Sequence, residues 1–256
     1  MWEGRTLSVV LMTYAERDSI RRVIEGFFDT RAVDEVVVVN NNAQPGTSEQ
    51  VALTDAREVF EPMQGYGHAI RRGLREARGD LVLLAEPDGT FVPRDVFKML
   101  SFSGECEAVL GTRTTRELVW SGANMGWFLR WGNWAVAKMV EVMFNTSHIS
   151  DMGCSLRLFN RRLADYVAEN LKVGGSHAGA EILMLAIVSG ARFVEIPVNY
   201  LPRIGRSSVT GSPLKALVVG LKMIALVIGY RFKTPRRLPR PDALEVEATQ
   251  VTGLGR

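Results

Sequence analysis

LVLLAEPDGT, residues Leu81–Thr90, joins a short apolar run to a pair of carboxylates. Leu81 to Leu84 form the unbroken hydrophobic stretch that a strand buried on both faces requires. Side chains of a strand alternate between faces, so residues two apart point the same way. Glu86 and Asp88 therefore project together at the carboxyl end of a buried strand, where open α/β sheets hold their ligands. Two carboxylates that close repel one another unless a cation lies between them. Hard oxygen ligands suit Mg2+ or Mn2+, held by one or two carboxylates and completed by substrate phosphates. Taken alone, the stretch serves equally well as a surface turn, because Pro-Asp-Gly is a common turn sequence.

The flanking chain repeats the alternation of strand and helix. Upstream, Leu7–Met12 is a second buried-strand run, and Ser19–Phe28 carries Ile20, Val23, Ile24, Phe27 and Phe28 at helical spacing. Val33–Val39 is the next strand, running into Asn40, Asn41 and Asn42. There Thr47 or Ser48 is expected to cap a helix. Val59 and Phe60 suit a short third strand, and Gln64-Gly65-Tyr66-Gly67-His68 opens a helix ended by Gly79-Asp80. Downstream, Pro93–Leu100 predicts a helix, Ala108–Gly111 a strand and Trp120–Phe144 a long helical region with four of the five tryptophans. Phe193–Tyr200 predicts a last strand near a sheet edge, given Pro197. This order implies an α/β fold, a mostly parallel sheet covered by helices on both faces.

Length and charge narrow the function. A chain of 256 residues supports one large domain or two small ones. The net charge is only +3, yet Pro202–Arg240 contains nine basic residues and no acidic one. Such a block points to a phosphate-bearing partner: a membrane surface, a phosphorylated substrate or nucleic acid. Cys106 and Cys154 give neither metal spacing nor a disulfide framework, and no apolar leader opens the chain, so a reducing cytoplasm is the expected home.

The motifs, taken in order, resemble glycosyltransferase family 2 of the GT-A fold, and most closely its polyprenyl-phosphate, dolichyl-phosphate mannose synthase-like branch. The likeness runs from about Ser8 to Ser208. Met12-Thr13-Tyr14-Ala15-Glu16 stands where the family has Pro-x-Tyr-Asn-Glu, and Val39-Asn40-Asn41-Asn42 where Val-Asp-Asp-Gly is usual. Gly65-Tyr66-Gly67-His68-Ala69 matches the glycine-rich helix start, and Glu86-Pro87-Asp88 matches Asp-x-Asp. Gly111-Thr112-Arg113 resembles Gly-Ser-Arg, and Asp151–Arg157 resembles Asp-x-x-Ser-Gly-Phe-Arg. Arg203–Ser208 resembles Arg-x-x-Gly-x-Ser-Lys, with Ser208 for the lysine. Asn40 replaces an aspartate that accepts a hydrogen bond from the base.

The resemblance implies an inverting, metal-dependent hexosyltransferase using a nucleotide-diphosphate sugar of UDP or GDP type. It places Thr13, Tyr14, Glu16, Asn40, Asn42, Gly67, Glu86, Pro87, Asp88 and Arg113 at the donor, with Mg2+ or Mn2+ on Glu86 and Asp88. Asp88, Asp151 and Arg113 form the expected catalytic set, while Arg130, Arg157, Arg203, Ser207 and Ser208 are candidates for acceptor and phosphate contacts. A lipid phosphate acceptor is already anionic. A hydroxyl acceptor would make Asp151 a general base with a raised pKa. The rival readings are a soluble family 2 transferase acting on a hydroxyl and a non-catalytic nucleotide-sugar-binding protein; nucleic acid is not an expected partner.

Residues 1–212 are expected to form the transferase domain, 213–240 an apolar and basic C-terminal helix and 241–256 a disordered tail. Pro213–Tyr230 is apolar but interrupted by Lys215 and Lys222, which lie seven apart on nearly one helical face. A lysine near the centre of a span costs about 2.5–3.5 kcal/mol. The helix is therefore expected to lie in a membrane interface or pack on the domain, with plain core or an oligomer contact as the alternative. Trp127, Trp131 and Trp134 share a second helical face suited to headgroups. The enzyme is thus expected at the cytoplasmic face of a membrane, as a peripheral protein.

Overall fold

A computed structural model describes residues 1–123, 127–205 and 213–232, leaving aside the side chains of 127–130 and 213–216. Within these, seven strands form one sheet: β1 (Leu7–Thr13), β2 (Glu35–Asn40), β3 (Arg57–Phe60), β4 (Leu81–Ala85), β5 (Ala108–Thr112), β6 (Arg157–Asn160) and β7 (Phe193–Pro197). Their order is β3-β2-β1-β4-β6-β5-β7. All neighbours are parallel except β6, which runs antiparallel to both β4 and β5. Among the described residues the α-helices are α1 (Arg17–Asp29), α2 (Thr47–Ala52), α3 (Tyr66–Glu76), α4 (Val96–Leu100), α5 (Trp127–Phe144), α6 (Arg161–Asn170), α7 (Ala178–Ser189) and α8 (Pro213–Arg231).

The two faces of the sheet carry separate cores, sorted by strand alternation. Leu7, Val9 and Leu11 join Leu81 and Leu83 under α1 and α4, with Ile20, Ile24, Phe27 and Met99. Val10, Met12, Val82 and Leu84 face the other way, onto α3, α5, α6 and α7. Burying each such side chain stabilises the fold by about 1.5–3 kcal/mol, so the continuous apolar runs of β1 and β4 hold the centre of the sheet.

Two local expectations are revised and two features are added. The long helix is described over Trp127–Phe144; Trp120 sits before it in a loop, where its amide bonds Tyr200 O at 2.9 Å. Neither Thr47 nor Ser48 caps α2. Gly46, at φ +89°, occupies that position, and Thr47 turns its hydroxyl back to Gln44 O. β6 is an additional strand, too short at four residues to show a period of its own. Glu181 lies in the first turn of α7. It is buried, accepts the Lys172 and Val173 amides, and takes the Tyr230 hydroxyl at 2.7 Å.

That last bond ties α8 to the domain. Val227 and Tyr230 are buried, and α8 packs on α5 and α7. Its other face shows Leu217, Val218 and Leu221 to solvent, and Trp131 and Trp134 stand exposed on α5 with ring centroids 6.0 Å apart. Among the described residues no helix is long and apolar enough to cross a membrane. The expected tail, 241–256, lies outside the described residues.

Candidate active site

The reversed direction of β6 builds the site. Leu84 of β4 pairs with Arg157 at the start of β6, so the loop before β6 meets the turn after β4. This brings Asp151–Ser155 beside Glu86–Thr90, at the carboxyl end of the parallel strands.

The turn after β4 is fastened on three sides. Pro87 O accepts the Ser19 hydroxyl of α1 at 2.7 Å, while Asp88 O and Thr90 O accept the amides of Ile204 and Leu201 at 2.9 and 2.8 Å. Asp88 is fully buried. Its Oδ1 accepts both the amide and the hydroxyl of Thr90, at 2.9 and 2.6 Å. Its Oδ2 is buried without a hydrogen bond: the Arg203 Nε lies 3.3 Å away but does not aim a proton at it. Glu86 is partly exposed. Burial, with the Asp88 charge second, pushes its carboxyl up to about 7, against the pull of Arg203 and the Ser155 hydroxyl.

Arg203 also reaches the first loop. Its Nη2 donates to Glu16 Oε1 at 3.1 Å, and Glu16 Oε2 accepts the amides of Tyr14 and Ala15, both at 2.8 Å. Glu16 thereby shapes the turn between β1 and α1 and leaves Tyr14 projecting into solvent, 53% exposed. Thr13 ends β1 with its hydroxyl 3.4 Å from the same carboxylate.

At the end of β2 the Asn40 amide is committed. Nδ2 donates to Glu58 Oε1 and Ser48 Oγ at 2.8 and 3.2 Å, while Oδ1 accepts Ala43 N at 2.9 Å. Asn42 is exposed at φ +57° and donates to Gln64 Oε1. Gly67 is explained by packing: a Cβ there would lie 1.9 Å from Val173 O, and its amide already bonds Gly174 O.

Arg113 and Asp151 form a closed pair. Arg113 Nε and Nη2 meet Asp151 Oδ2 and Oδ1 at 2.8 and 2.9 Å, and Oδ2 and Oδ1 further accept the Arg113 and Gly153 amides. Burial alone would raise the Asp151 carboxyl, but the Arg113 guanidinium and these bonds hold it below its ordinary value. The general-base condition of a raised pKa is therefore not met. Arg113 also covers the Tyr200 ring, 5.1 Å from its centroid.

Arg157 departs from its expected place among phosphate contacts. It is buried, and its donors go to the carbonyls of Cys154, Gly179 and Met152, making it a brace between the 152–154 loop and α7. Arg130 lies on α5 with its side chain outside the description, and Ser207 and Ser208 lie outside the described residues.

Two neighbours were not among the expected site residues. Tyr66, at the start of α3, has its hydroxyl pushed up by burial and by the nearby Glu86 charge, against the pull of Arg157 and Ser155. Glu195 of β7 accepts the Ser150 and Asp151 amides at 2.8 and 3.0 Å and so holds the loop that carries Asp151. An acidic residue inside the otherwise apolar FVEIPV was the available signal.

Comparison with known proteins now bears on this arrangement. Residues 8–167 match the family model described as Glycosyl transferase family 2. The chain belongs to glycosyl transferase family 2. Its relatives include the low-salt glycan biosynthesis hexosyltransferase Agl6 of Haloferax volcanii, 26% identical over 90% of this chain and 56% of that protein. The chain thus spans little more than half of that relative's length. Another is the dolichyl-phosphate hexose transferase of the same organism, 27% identical over 79% of this chain and 86% of that one. Among solved structures, glucosyl-3-phosphoglycerate synthase from Mycobacterium tuberculosis, in complex with Mn2+, UDP and phosphoglyceric acid, superposes with a TM-score of 0.67. It shares 17% identity, covering 94% of this chain and 81% of that one, which shows the shared fold.

The chain is accordingly a glycosyltransferase with the α/β sheet of that fold. Its acidic pair fits a divalent ion on this structure's own terms. Asp88 Oδ2 is a buried anionic oxygen without a hydrogen bond, and Glu86 beside it is destabilised as a carboxylate. Among the described residues no cluster of three acidic, histidine or cysteine side chains is assembled for a metal. Two carboxylates completed by phosphate oxygens and water are the usual holding for Mg2+.

Proposed function

We propose that this family 2 enzyme moves a hexosyl group, with inversion, from a nucleotide-diphosphate sugar of UDP or GDP type to the phosphate of a polyprenyl lipid. The closed Arg113–Asp151 pair carries the reading. A hydroxyl acceptor needs a base near the anomeric carbon, and the carboxylate that the family resemblance puts there is held ionised and fully bonded. A phosphate acceptor is anionic before it arrives. It needs positioning and charge compensation, not deprotonation.

Glu86 and Asp88 would hold Mg2+ or Mn2+, which supplies Lewis-acid neutralisation of the departing diphosphate. Tyr14, solvent-facing beside the end of β1, offers its ring to the base, and Asn40 keeps an acceptor lone pair on Oδ1 for it. Arg113, fixed by Asp151, and Arg203 would supply the two guanidiniums for phosphate oxygens. A relative named for dolichyl-phosphate hexose transfer supports the acceptor class.

The exposed apolar side chains of α5 and α8, followed by Arg231, suit a lipid surface at the cytoplasmic face. The test is transfer of labelled hexose from UDP- and GDP-sugars with Mn2+, offering polyprenyl phosphate and, separately, its dephosphorylated alcohol. Transfer to the phosphate alone, with inverted anomeric configuration by NMR, is the expected result; transfer to the alcohol alone would overturn the reading.

A further inference from the structure

Arg203 occupies an unusual position for a phosphate ligand. It hangs from a segment sewn to the acidic turn by backbone bonds, Leu201 N to Thr90 O and Ile204 N to Asp88 O. Its guanidinium bridges Glu16 and Asp88, Nη2 to Glu16 Oε1 at 3.1 Å and Nε 3.3 Å from Asp88 Oδ2. The two contacts differ in quality. The first is a hydrogen bond. The second is a charge contact only, since Asp88 Oδ2 is left without a hydrogen bond although fully buried.

A divalent ion binding Asp88 Oδ2 meets this guanidinium head on. Two cations cannot share an oxygen at that separation in a buried setting without strong repulsion. Arg203 has somewhere to go: its side chain is 24% exposed, against 1% for Asp88, so it has an open side. That open side is where an incoming diphosphate or phosphate presents acceptor oxygens, which a guanidinium fork matches in geometry and charge.

We infer that Arg203 is a resident counter-ion of Asp88 that the divalent metal displaces, and that the phosphate-bearing substrate takes up the released guanidinium. Metal and nucleotide diphosphate are thereby coupled through this side chain, each strengthening the other's binding by the same factor. The metal alone binds weakly because it must break the Arg203–Asp88 contact with nothing to receive the arginine. Arg203 is a positioning residue in this account, acting on the metal through Asp88. The inference rests on the metal reading under the proposed function and adds to it an order: the ion enters with its nucleotide, not before it.

The test is Mn2+ binding to the full chain, read as loss of the free Mn2+ paramagnetic resonance signal, with and without UDP or GDP. In the unaltered protein the nucleotide is expected to tighten Mn2+ by roughly a hundredfold, the upper part of the usual coupling range. In Arg203→Gln, Mn2+ alone is expected to bind about tenfold tighter, and the nucleotide then to add much less. A purely structural Arg203 would lower the melting temperature and leave Mn2+ affinity where it was. Unchanged or weaker Mn2+ binding by folded Arg203→Gln overturns the inference while leaving the metal site standing. No Mn2+ binding by the unaltered protein with either nucleotide overturns the metal site itself, and the inference with it. Should Arg203→Gln fail to fold, the unaltered protein decides: phenylglyoxal labelling of Arg203, followed by mass spectrometry, must accelerate several-fold with saturating Mn2+. Equal labelling with and without Mn2+ counts against displacement.

Discussion

Replacing Asp151 by Asn separates a structural carboxylate from a catalytic base. The side chain of Asp151 is fully buried and Arg113 is 11% exposed, and the pair shares two charge-assisted bonds. The substitution keeps the shape, removes the charge and turns an amide donor toward guanidinium donors. Breaking a buried pair from one side costs about 3–5 kcal/mol, because the remaining charge is stranded. For a chain of this size that lowers the melting temperature by roughly 6 to 20 °C. The depressed Asp151 pKa fixes the sign of the pH dependence. Its stabilising contribution is present above the unfolded-state value of about 3.9 and is lost as pH falls through the lower folded value. Between pH 5 and 8 the pair thus adds a constant amount, and the acid limb of the rate profile does not belong to Asp151. Thermal melts of Asp151→Asn, Arg113→Met and the double variant, with pH-rate curves, make the assay. The double variant is expected to lose much less than the sum of the singles. A melting temperature unmoved in Asp151→Asn, together with loss of a wild-type acid limb, would refute this and restore the general base.

Asp88→Asn is expected to lower turnover roughly a thousandfold through the lost diphosphate neutralisation. Calorimetry in chelator should find it close to the parent in stability, since the bonds from Thr90 remain and Arg203, 24% exposed, keeps its hydrogen bond to Glu16. Glu86, pushed up to about 7, must give up its proton to hold a metal. Mn2+ affinity measured by calorimetry should therefore weaken about tenfold per pH unit below 7, with proton release on binding; a pH-flat affinity from 5.5 to 7.5 would contradict this. Trp131→Ser with Trp134→Ser, both at exposed positions, should reduce flotation with anionic liposomes. Losing on the order of 60 Å2 of buried apolar surface at about 25 cal/mol per Å2 weakens partition roughly tenfold, and unchanged flotation would take α5 out of the membrane contact.

The parallel half of the fold was legible because each buried strand writes its own apolar run. Leu7–Met12 and Leu81–Leu84 need no partner to be recognised. β6 was not, because RLFN is four residues long and its direction is set by pairing with β4 and β5. The same limit explains the site. Motif spacing located Glu86, Asp88, Arg113, Asp151 and Arg203, yet it does not say which charges close on each other. Asp151 meets an arginine 38 positions away, and Glu181 meets a tyrosine 49 positions away. Arg157 and Gly67 show the complementary limit. Both sit inside motifs read as ligand contacts, and both are accounted for by backbone packed against them: three carbonyls around the guanidinium, and Val173 O where a Cβ would stand.

The charges of the site fall into two sets with different freedom. Arg113 and Asp151 cancel in a fork with every strong bond satisfied, which fixes geometry and resists exchange. Glu16, Glu86 and Asp88 face the single guanidinium of Arg203, so that set carries an excess of negative charge and one poorly aimed contact. A divalent metal supplies the positive charge that this set lacks, and the diphosphate that comes with it gives Arg203 a better-matched partner. A rigid pair beside an exchangeable one is what the proposed transfer between two phosphates requires. The anionic leaving group must be held while the bond breaks and then released, and only the second set can change partners without dismantling the loop that Glu195 and Arg113 hold in place.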